Sequence, residues 1–340
     1  MTKYWQVASG AGDRNYDEEF INWGIAFVGE PYSHRIGRVE KGDRILLRGR
    51  RNNAEEIVAV GEVTEYEGRY KGCKDKRVLR DFDGWDLPAY CYVDWHRVYD
   101  GKKTNIRTTI AQIGKNNDLR RYADSILQDR GKNRVGNPGN MPPEPETMDL
   151  EEIARKLVPQ DLVEDLTSKL LHIRDLAKHY YDFEYKHWDE VKEHEIRTFL
   201  IIPLLLALGW DEKRIKIELS PSRLGVDDGQ KSIDIACFSQ KYEKDSPNAN
   251  REKCHLIVES KRFSSGIDKD APDQAKKYAK ALNCKTIVVS NGYCYKAFVG
   301  EDGEFSDTPH AYLNLLKPTR NYPLKPKIGG ALQMLELLKA

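Results

Sequence analysis

The pattern of apolar and polar positions changes character along the chain. Lys3 to Ala8 alternates, Gly42-Asp43 turns into the run Arg44-Ile45-Leu46-Leu47-Arg48, and Ile57 to Val63 is rich in β-branched residues. Ala89 to Val98 alternates again, with Tyr90 and Tyr92 set against Cys91 and Val93. Period-two patterns of this length predict strands, and their spacing suggests a small barrel. Asp17 to Trp23 reads as one short helix among them. From Asp149 to about Trp188 the period changes: Ile153, Leu157, Leu162, Leu166, Leu170, Ile173, Leu176 and Ala177 lie on related helical faces. Glu193 to Leu208 is apolar nearly all round, which predicts a buried helix ended by Gly209. Strands are then predicted at Ile215–Leu219, Ser232–Phe238, His255–Glu259 and Thr286–Ser290, with a helix at Asp273–Leu282 between the last two. That order defines a mixed α/β sheet.

Between the two regimes lies Gly-Asn-Pro-Gly-Asn-Met-Pro-Pro-Glu-Pro-Glu, which has no apolar period and reads as a Pro/Gly/Asn linker. The predicted organisation is a β domain over 1–130, a flexible linker over 131–148, a helical connector over 149–190 and an α/β domain over 191–340.

Composition narrows the class. The 340 residues are 39% hydrophobic and 32% charged, as expected of a globular chain able to form two cores. No apolar run approaches the roughly 20 residues of a membrane span, and Met-Thr-Lys-Tyr-Trp carries no apolar signal segment, so a cytoplasmic location is expected. The six cysteines form no CxxC pair, which leaves a zinc site unsupported. With a net charge of +1, nucleic-acid binding must use local patches. Two are candidates for phosphate contact: one includes Arg48, Arg50 and Arg51, the other Lys74, Lys76 and Arg77.

Two acids close apolar strands in the second half. Asp234 lies in Ser-Ile-Asp-Ile-Ala, and Glu259 ends His-Leu-Ile-Val-Glu, followed by Ser260 and Lys261. Glu259 and Lys261 are two apart on an extended segment and share a face. Two carboxylates and an ammonium in this relation suit metal-assisted phosphodiester hydrolysis. The carboxylates and the Ser260 carbonyl would bind Mg²⁺ (or Mn²⁺) through oxygen, and the ion would stabilise phosphoryl charge and activate water. A buried salt bridge is the alternative use of the same groups.

The ordered set Glu193 with Arg197, Leu200 through Leu208-Gly209-Trp210, Asp234, Val258-Glu259-Ser260-Lys261, Gln274-x-x-x-Tyr278 and Val289-Ser290-Asn291-Gly292 resembles the PD-(D/E)xK nucleases. More narrowly, it is similar to the N-terminal nuclease domain of type I restriction enzyme cleavage subunits. The resemblance covers about residues 190 to 300. It implies a restriction-endonuclease-like fold and Mg²⁺-dependent DNA cleavage, with Asp234 and Glu259 as ligands and Lys261 acting like a base. Glu193 would be a supporting acid, with Glu195 as the alternative, and Gln274 and Tyr278 would line the substrate side. Ser260 stands where that family often has Ala or Cys. No G-x-x-x-x-G-K-[ST] occurs, so neither a helicase motor nor a nucleotide cofactor is expected.

The first half carries Trp5, Trp23, Trp85 and Trp95. Trp5 and Trp95 lie in strand patterns and read as core. Trp23, in Asn22-Trp23-Gly24, and Trp85, in Asp83-Gly84-Trp85-Asp86, occupy turns where a loop can approach a ligand. With Tyr4-Trp5, Lys41 to Leu47, Ile57 to Val63 and Tyr92-Val93-Asp94-Trp95, these pieces resemble the PUA-like superfamily, specifically EVE and YTH modules. The resemblance implies a small barrel that holds an extruded, often modified base against Trp23 and Trp85, with Asn22, Ser9 and Asp13 at the rim. Extruding a base costs a few kcal/mol, and aromatic stacking returns about 1–3 kcal/mol. Edge hydrogen bonds would then decide which base is retained.

A modified-base reader joined to a nuclease is the plan of a modification-dependent restriction endonuclease. Its expected partner is double-stranded DNA carrying a modified base, such as modified cytosine. A homodimer is expected because one active site cuts one strand. The other readings are a non-catalytic nucleic-acid binder with an inactive nuclease fold, and a nuclease whose first domain reads RNA.

Overall fold

The computed structural model describes the chain except for residues 1, 11–14, 30–31, 52–53, 74–79, 116, 129–132, 185–190, 225–231, 244–249, 251–252, 265–266, 268–271 and 302. It divides into two compact units, Met1–Glu144 and Pro145–Ala340.

The first unit is built on β1 (Tyr4–Ala8), β2 (Ile25–Val28), β3 (Arg44–Arg51), β4 (Ala54–Val63), β5 (Lys71–Cys73), β6 (Arg80–Phe82), β7 (Trp85–Leu87), β8 (Ala89–Arg97), β9 (Ile110–Gln112) and β10 (Arg134–Val135). The helices are α1 (Asp17–Asn22), α2 (Ser33–Ile36) and α3 (Asp118–Gln128). The main sheet runs β10-β8-β4-β3-β1-β9 and is antiparallel except where β1 lies parallel to β3. It curls because β8 changes partners: residues 89–92 pair with β2 and 71–73 with 89–91, while 93–97 pair with β4. One core lies under α3, where Leu119, Ala123 and Leu127 meet Leu46, Ile57 and Val60. The other is aromatic. Phe82 packs against Tyr16, Phe20, Trp23 and Phe27 at ring separations of 5.0, 5.8, 5.7 and 5.2 Å.

The stretch read as a flexible linker is largely part of this unit. Arg134 and Val135 pair with β8, and the Asn137 side chain accepts a hydrogen bond from the Gly139 amide. Gly136 shows why this sequence is required. Its φ is +84°, and a Cβ there would stand 1.8 Å from the Ile21 carbonyl oxygen. What reads as linker composition is the glycine and proline chemistry of a close backbone approach.

The second unit holds a mixed sheet in the order β11 (Ile215–Leu219), β12 (Ile233–Phe238), β13 (Cys254–Ser260), β14 (Thr286–Ser290), β15 (Cys294–Glu301), β16 (Glu304–Phe305), with β17 (Ala311–Asn314) also on β15. Only β13 and β14 are parallel among these pairs, and α8 (Asp273–Ala281) lies between them in sequence. The remaining helices are α4 (Leu150–Leu157), α5 (Val163–Glu184), α6 (Glu193–Ile196), α7 (Ile202–Ala207) and α9 (Ala331–Leu338). The predicted helical connector is not a separate segment. Leu150, Ile153, Ala154 and Leu157 of α4 are buried, and Lys339 after α9 donates to the Leu157 carbonyl at 2.6 Å. The predicted strands stop at Ser290, and beyond them β15, β17 and α9 complete the core, with Tyr295, Phe298, Tyr312, Leu313 and Leu335 buried. Among the described residues no helix is long and apolar enough to cross a membrane.

Candidate active site

The constellation forms where β11, β12 and β13 end together. Ile235 pairs with Val258, so the next residues, Asp234 and Glu259, face each other across the antiparallel pair. In place of a further backbone bond, the Ser260 amide donates to Asp234 Oδ2 at 2.8 Å. Ser260 Oγ lies 2.9 Å from the same Oδ2 and 3.0 Å from Glu193 Oε1. A hydroxyl has one hydrogen, so it donates to one carboxylate at a time. Lys261 is fixed by its amide, which donates to the Ser290 carbonyl of the parallel strand at 2.8 Å. Its Nζ reaches Glu259 Oε1 at 3.5 Å.

Glu193 enters this group because α6 is seated on the turn after β14. Gly292 has φ +94°, and a Cβ there would stand 2.6 Å from Ile196 Cγ2 and 2.7 Å from Leu200 Cδ1. Only glycine lets the helix approach so closely. Arg197–Ile201 forms a π-helical turn before α7. Pro203 has no N–H to give the carbonyl four residues earlier, and such widened turns often occur at functional sites. Glu195, the alternative acid, turns back instead: its Oε2 accepts from the Lys192 amide at 2.8 Å as a helix N-terminal cap. Of the two, Glu193 is therefore the one that reaches the group. Arg197 also faces the site, with Nη1 3.4 Å from Asp234 Oδ1 and Nη2 3.2 Å from Glu218 Oε1.

Electrostatics agree with this geometry. The Glu259 carboxyl is raised above the ordinary glutamate range by burial first and then by the neighbouring Asp234 charge; Lys261 opposes the shift and Glu193 adds to it. Among the described residues no group of three or more His, Cys, Asp or Glu could by itself enclose a metal ion. The oxygen set at hand is two facing carboxylates, Asp234 and Glu259, with the Ser260 carbonyl beside them. That suits Mg²⁺ or Mn²⁺, since Mg²⁺ keeps several waters and binds through one or two carboxylates. The mutual repulsion of these acids is what such a cation would relieve.

Residues 192–307 match the family model described as the type I restriction enzyme R protein N terminus. This restriction-enzyme-related segment contains every residue of the constellation just described. No curated protein matches the chain.

Other predicted site residues are placed differently. Gln274 Nε2 donates to the Tyr278 hydroxyl at 3.2 Å, but Tyr278 is buried in the core rather than lining an open substrate face. Its apolar neighbours on α8, Ala275 and Ala279, are buried with it. In the first unit Trp23 is 6% exposed and packs on Phe82. Trp85 is not in a loop. Asp83 (φ 57°) and Gly84 (φ 85°) make the β6–β7 turn, and Trp85 opens β7, half-buried beside Gly29. Ser9 is buried; its Oγ contacts Asn15 Oδ1 at 2.9 Å and the Arg48 carbonyl at 3.1 Å, which ties β1 to β3. Asn22 is exposed at the end of α1, and its carbonyl accepts from the Asn137 amide.

Arg48 is not a surface cation. It is 7% exposed, with Nη1 3.0 Å from Glu55 Oε2 and 2.9 Å from the Ile106 carbonyl. Its guanidinium is consumed by the fold, because a buried charge must be paired. Arg50 is exposed. Asp13, Lys74, Lys76 and Arg77 lie outside the described residues, as does the side chain of Arg51. Glu218 is the site neighbour that sequence patterning misses, because its relation to Asp234 exists only through the strand register.

Proposed function

We propose that the chain is a modification-dependent DNA endonuclease. Its second unit would hydrolyse phosphodiester bonds with Mg²⁺ or Mn²⁺, and its first unit would select DNA carrying a modified base, with modified cytosine the leading candidate. The observation that carries the catalytic half is the convergence of Glu193, Asp234, Glu259, Ser260 and Lys261 within the segment that matches the restriction-enzyme R protein N terminus.

Asp234, Glu259 and the Ser260 carbonyl would hold the cation, which supplies charge stabilisation at the phosphoryl oxygens and a more acidic bound water. Lys261, tethered through the Ser290 carbonyl and half-buried, presents an ammonium beside Glu259. There it can orient the attacking water or offset charge developing on the phosphate. Ser260 holds Asp234 Oδ2 through its amide, its hydroxyl donating either there or to Glu193, while Oδ1 faces Arg197. The fold is that of a PD-(D/E)xK nuclease on this reading, and the strand order with acids at β12 and β13 supports it.

The reader role is supported by the curled sheet and its aromatic cluster, and the barrel would be of PUA-like type. Trp85, more accessible than Trp23, is the better stacking platform, with Trp23 as the wall behind Phe82. One active site cuts one strand, so double-strand cleavage calls for two chains, and the proposal includes a homodimer that acts in the cytoplasm in defence against foreign DNA.

The test incubates the protein and Mg²⁺ with matched plasmids, one carrying modified cytosine and one plain, beside Asp234→Ala. Cleavage of the modified plasmid by the wild type alone is expected. Equal cleavage of both plasmids would remove the reader role, and cleavage by Asp234→Ala would remove the metal site.

A further inference from the structure

The register of β11 on β12 places another acid at the site. Ile217 pairs with Ile235 and Leu219 with Ile233, so Glu218 stands across from Asp234. The register therefore sets Glu218, Asp234 and Glu259 at level positions on three neighbouring strands. Like charges directly opposite each other are unfavourable in a sheet, and something must hold this row together. Glu218 also has φ +49°, a left-handed conformation unusual for a non-glycine residue inside a strand. Such conformations persist where the surroundings fix them, often near functional sites.

Arg197 links the first two members. It is 11% exposed, its Nη2 contacts Glu218 Oε1 at 3.2 Å, and its Nη1 is 3.4 Å from Asp234 Oδ1. Its Nε has no hydrogen-bond partner among the described residues. The distance to Asp234 is long for a charged hydrogen bond. Asp234 Oδ2 is already engaged by Ser260, so Oδ1 is the oxygen left for a cation, and it is the oxygen Arg197 faces.

We infer that Glu218 is a positioning residue that shares Arg197 with Asp234, and so keeps the guanidinium's hold on Oδ1 long and weak enough for a divalent ion to displace it. Without Glu218, the guanidinium turns fully onto Asp234 and competes with the cation for that oxygen. The inference rests on the metal-site reading given above and extends it to residues outside the acid–acid–lysine group.

The test compares wild type, Glu218→Ala and Glu218→Gln by thermal unfolding during a Mg²⁺ titration, with plasmid cleavage measured over the same concentrations. Glu218→Ala is expected to raise the half-saturating Mg²⁺ concentration about three- to tenfold, the worth of one hydrogen bond. The cleavage rate at saturating Mg²⁺ should change little. Glu218→Gln keeps an oxygen for Arg197 and should stay near wild type. Equal shifts in the Ala and Gln variants would reduce Glu218 to a remote charge and overturn the brace. An unchanged Mg²⁺ requirement in Glu218→Ala would overturn it too. The absence of any Mg²⁺ effect on wild type would overturn the metal site and the brace together.

Discussion

Replacing Glu259 with Gln should strengthen the cation-free fold while removing its response to metal. Glu259 is 17% exposed at its side chain, faces Asp234 and has Glu193 nearby, and its carboxyl is raised by burial and by those charges. The sign follows directly. A carboxyl whose folded value exceeds its unfolded one favours the fold below the unfolded value, about pH 4.3, and that contribution fades as pH rises through the folded value. At neutral pH the cation-free site therefore works against folding, and a bound divalent ion works for it. For a site of about 1 mM affinity in about 10 mM Mg²⁺, linkage gives roughly 1.4 kcal/mol. In a unit the size of Pro145–Ala340 that corresponds to about 3–6 °C in Tm. Differential scanning fluorimetry at about pH 7.5 should show this increment in wild type and none in Glu259→Gln, whose cation-free Tm should equal or exceed wild type. The increment should shrink toward about pH 4.5 as the carboxyls take up protons. An equal Mg²⁺ increment in wild type and Glu259→Gln, or a larger one at acid pH, would refute the reasoning.

Gly292→Ala should destabilise the second unit by about 2–4 kcal/mol, from the left-handed backbone and the overlap with Ile196 and Leu200. Urea titration would measure it, and a change below about 0.5 kcal/mol would mean that α6 does not depend on that turn. Lys261→Met should lower the cleavage rate about 10²- to 10⁴-fold and leave the Mg²⁺-dependent thermal shift in place; loss of that shift would recast Lys261 as a structural partner of Glu259. Trp23→Ala should cost about 3–5 kcal/mol of stability. Trp85→Ala should cost less and abolish the preference for modified DNA in a binding assay, and retained preference would remove Trp85 from the pocket.

Much of the second unit is legible from local pattern. The helical stretch from Glu193, the strands carrying Asp234 and Glu259, and the helix Asp273–Ala281 follow from apolar period and termination, although that first stretch is broken by a π-turn and leaves Phe199 exposed rather than lying buried all round. What local pattern does not convey is register and cap geometry. Glu193 and Glu195 look equivalent in sequence, and only the bond from the Lys192 amide commits Glu195 to the helix end. Glu218 reads as one polar position in a short strand until β11 is aligned on β12. In the first unit arginine was misleading. Arg48 looks like a member of a basic patch, yet its long side chain turns inward to the carbonyls of Ile106 and Arg107 and to Glu55. Trp23 differs from its reading in the same way, because it is buried against Phe82, whereas Trp5 and Trp95 are buried as their strand patterns indicate. The glycine and proline residues near 136–143 signal a tight backbone approach as readily as a tether.

The β6–β7 hairpin has a mechanical consequence. It forms a two-stranded sheet separate from the curled one, and it carries both Phe82, at the centre of the aromatic cluster, and Trp85, at its edge. Among the described residues it shares no strand pair with the main ladder, and ring packing and contacts such as the Tyr16 hydroxyl to the Phe82 carbonyl hold it in place. The curled sheet, tied together through β8, does not depend on the hairpin for any of its own strand pairs.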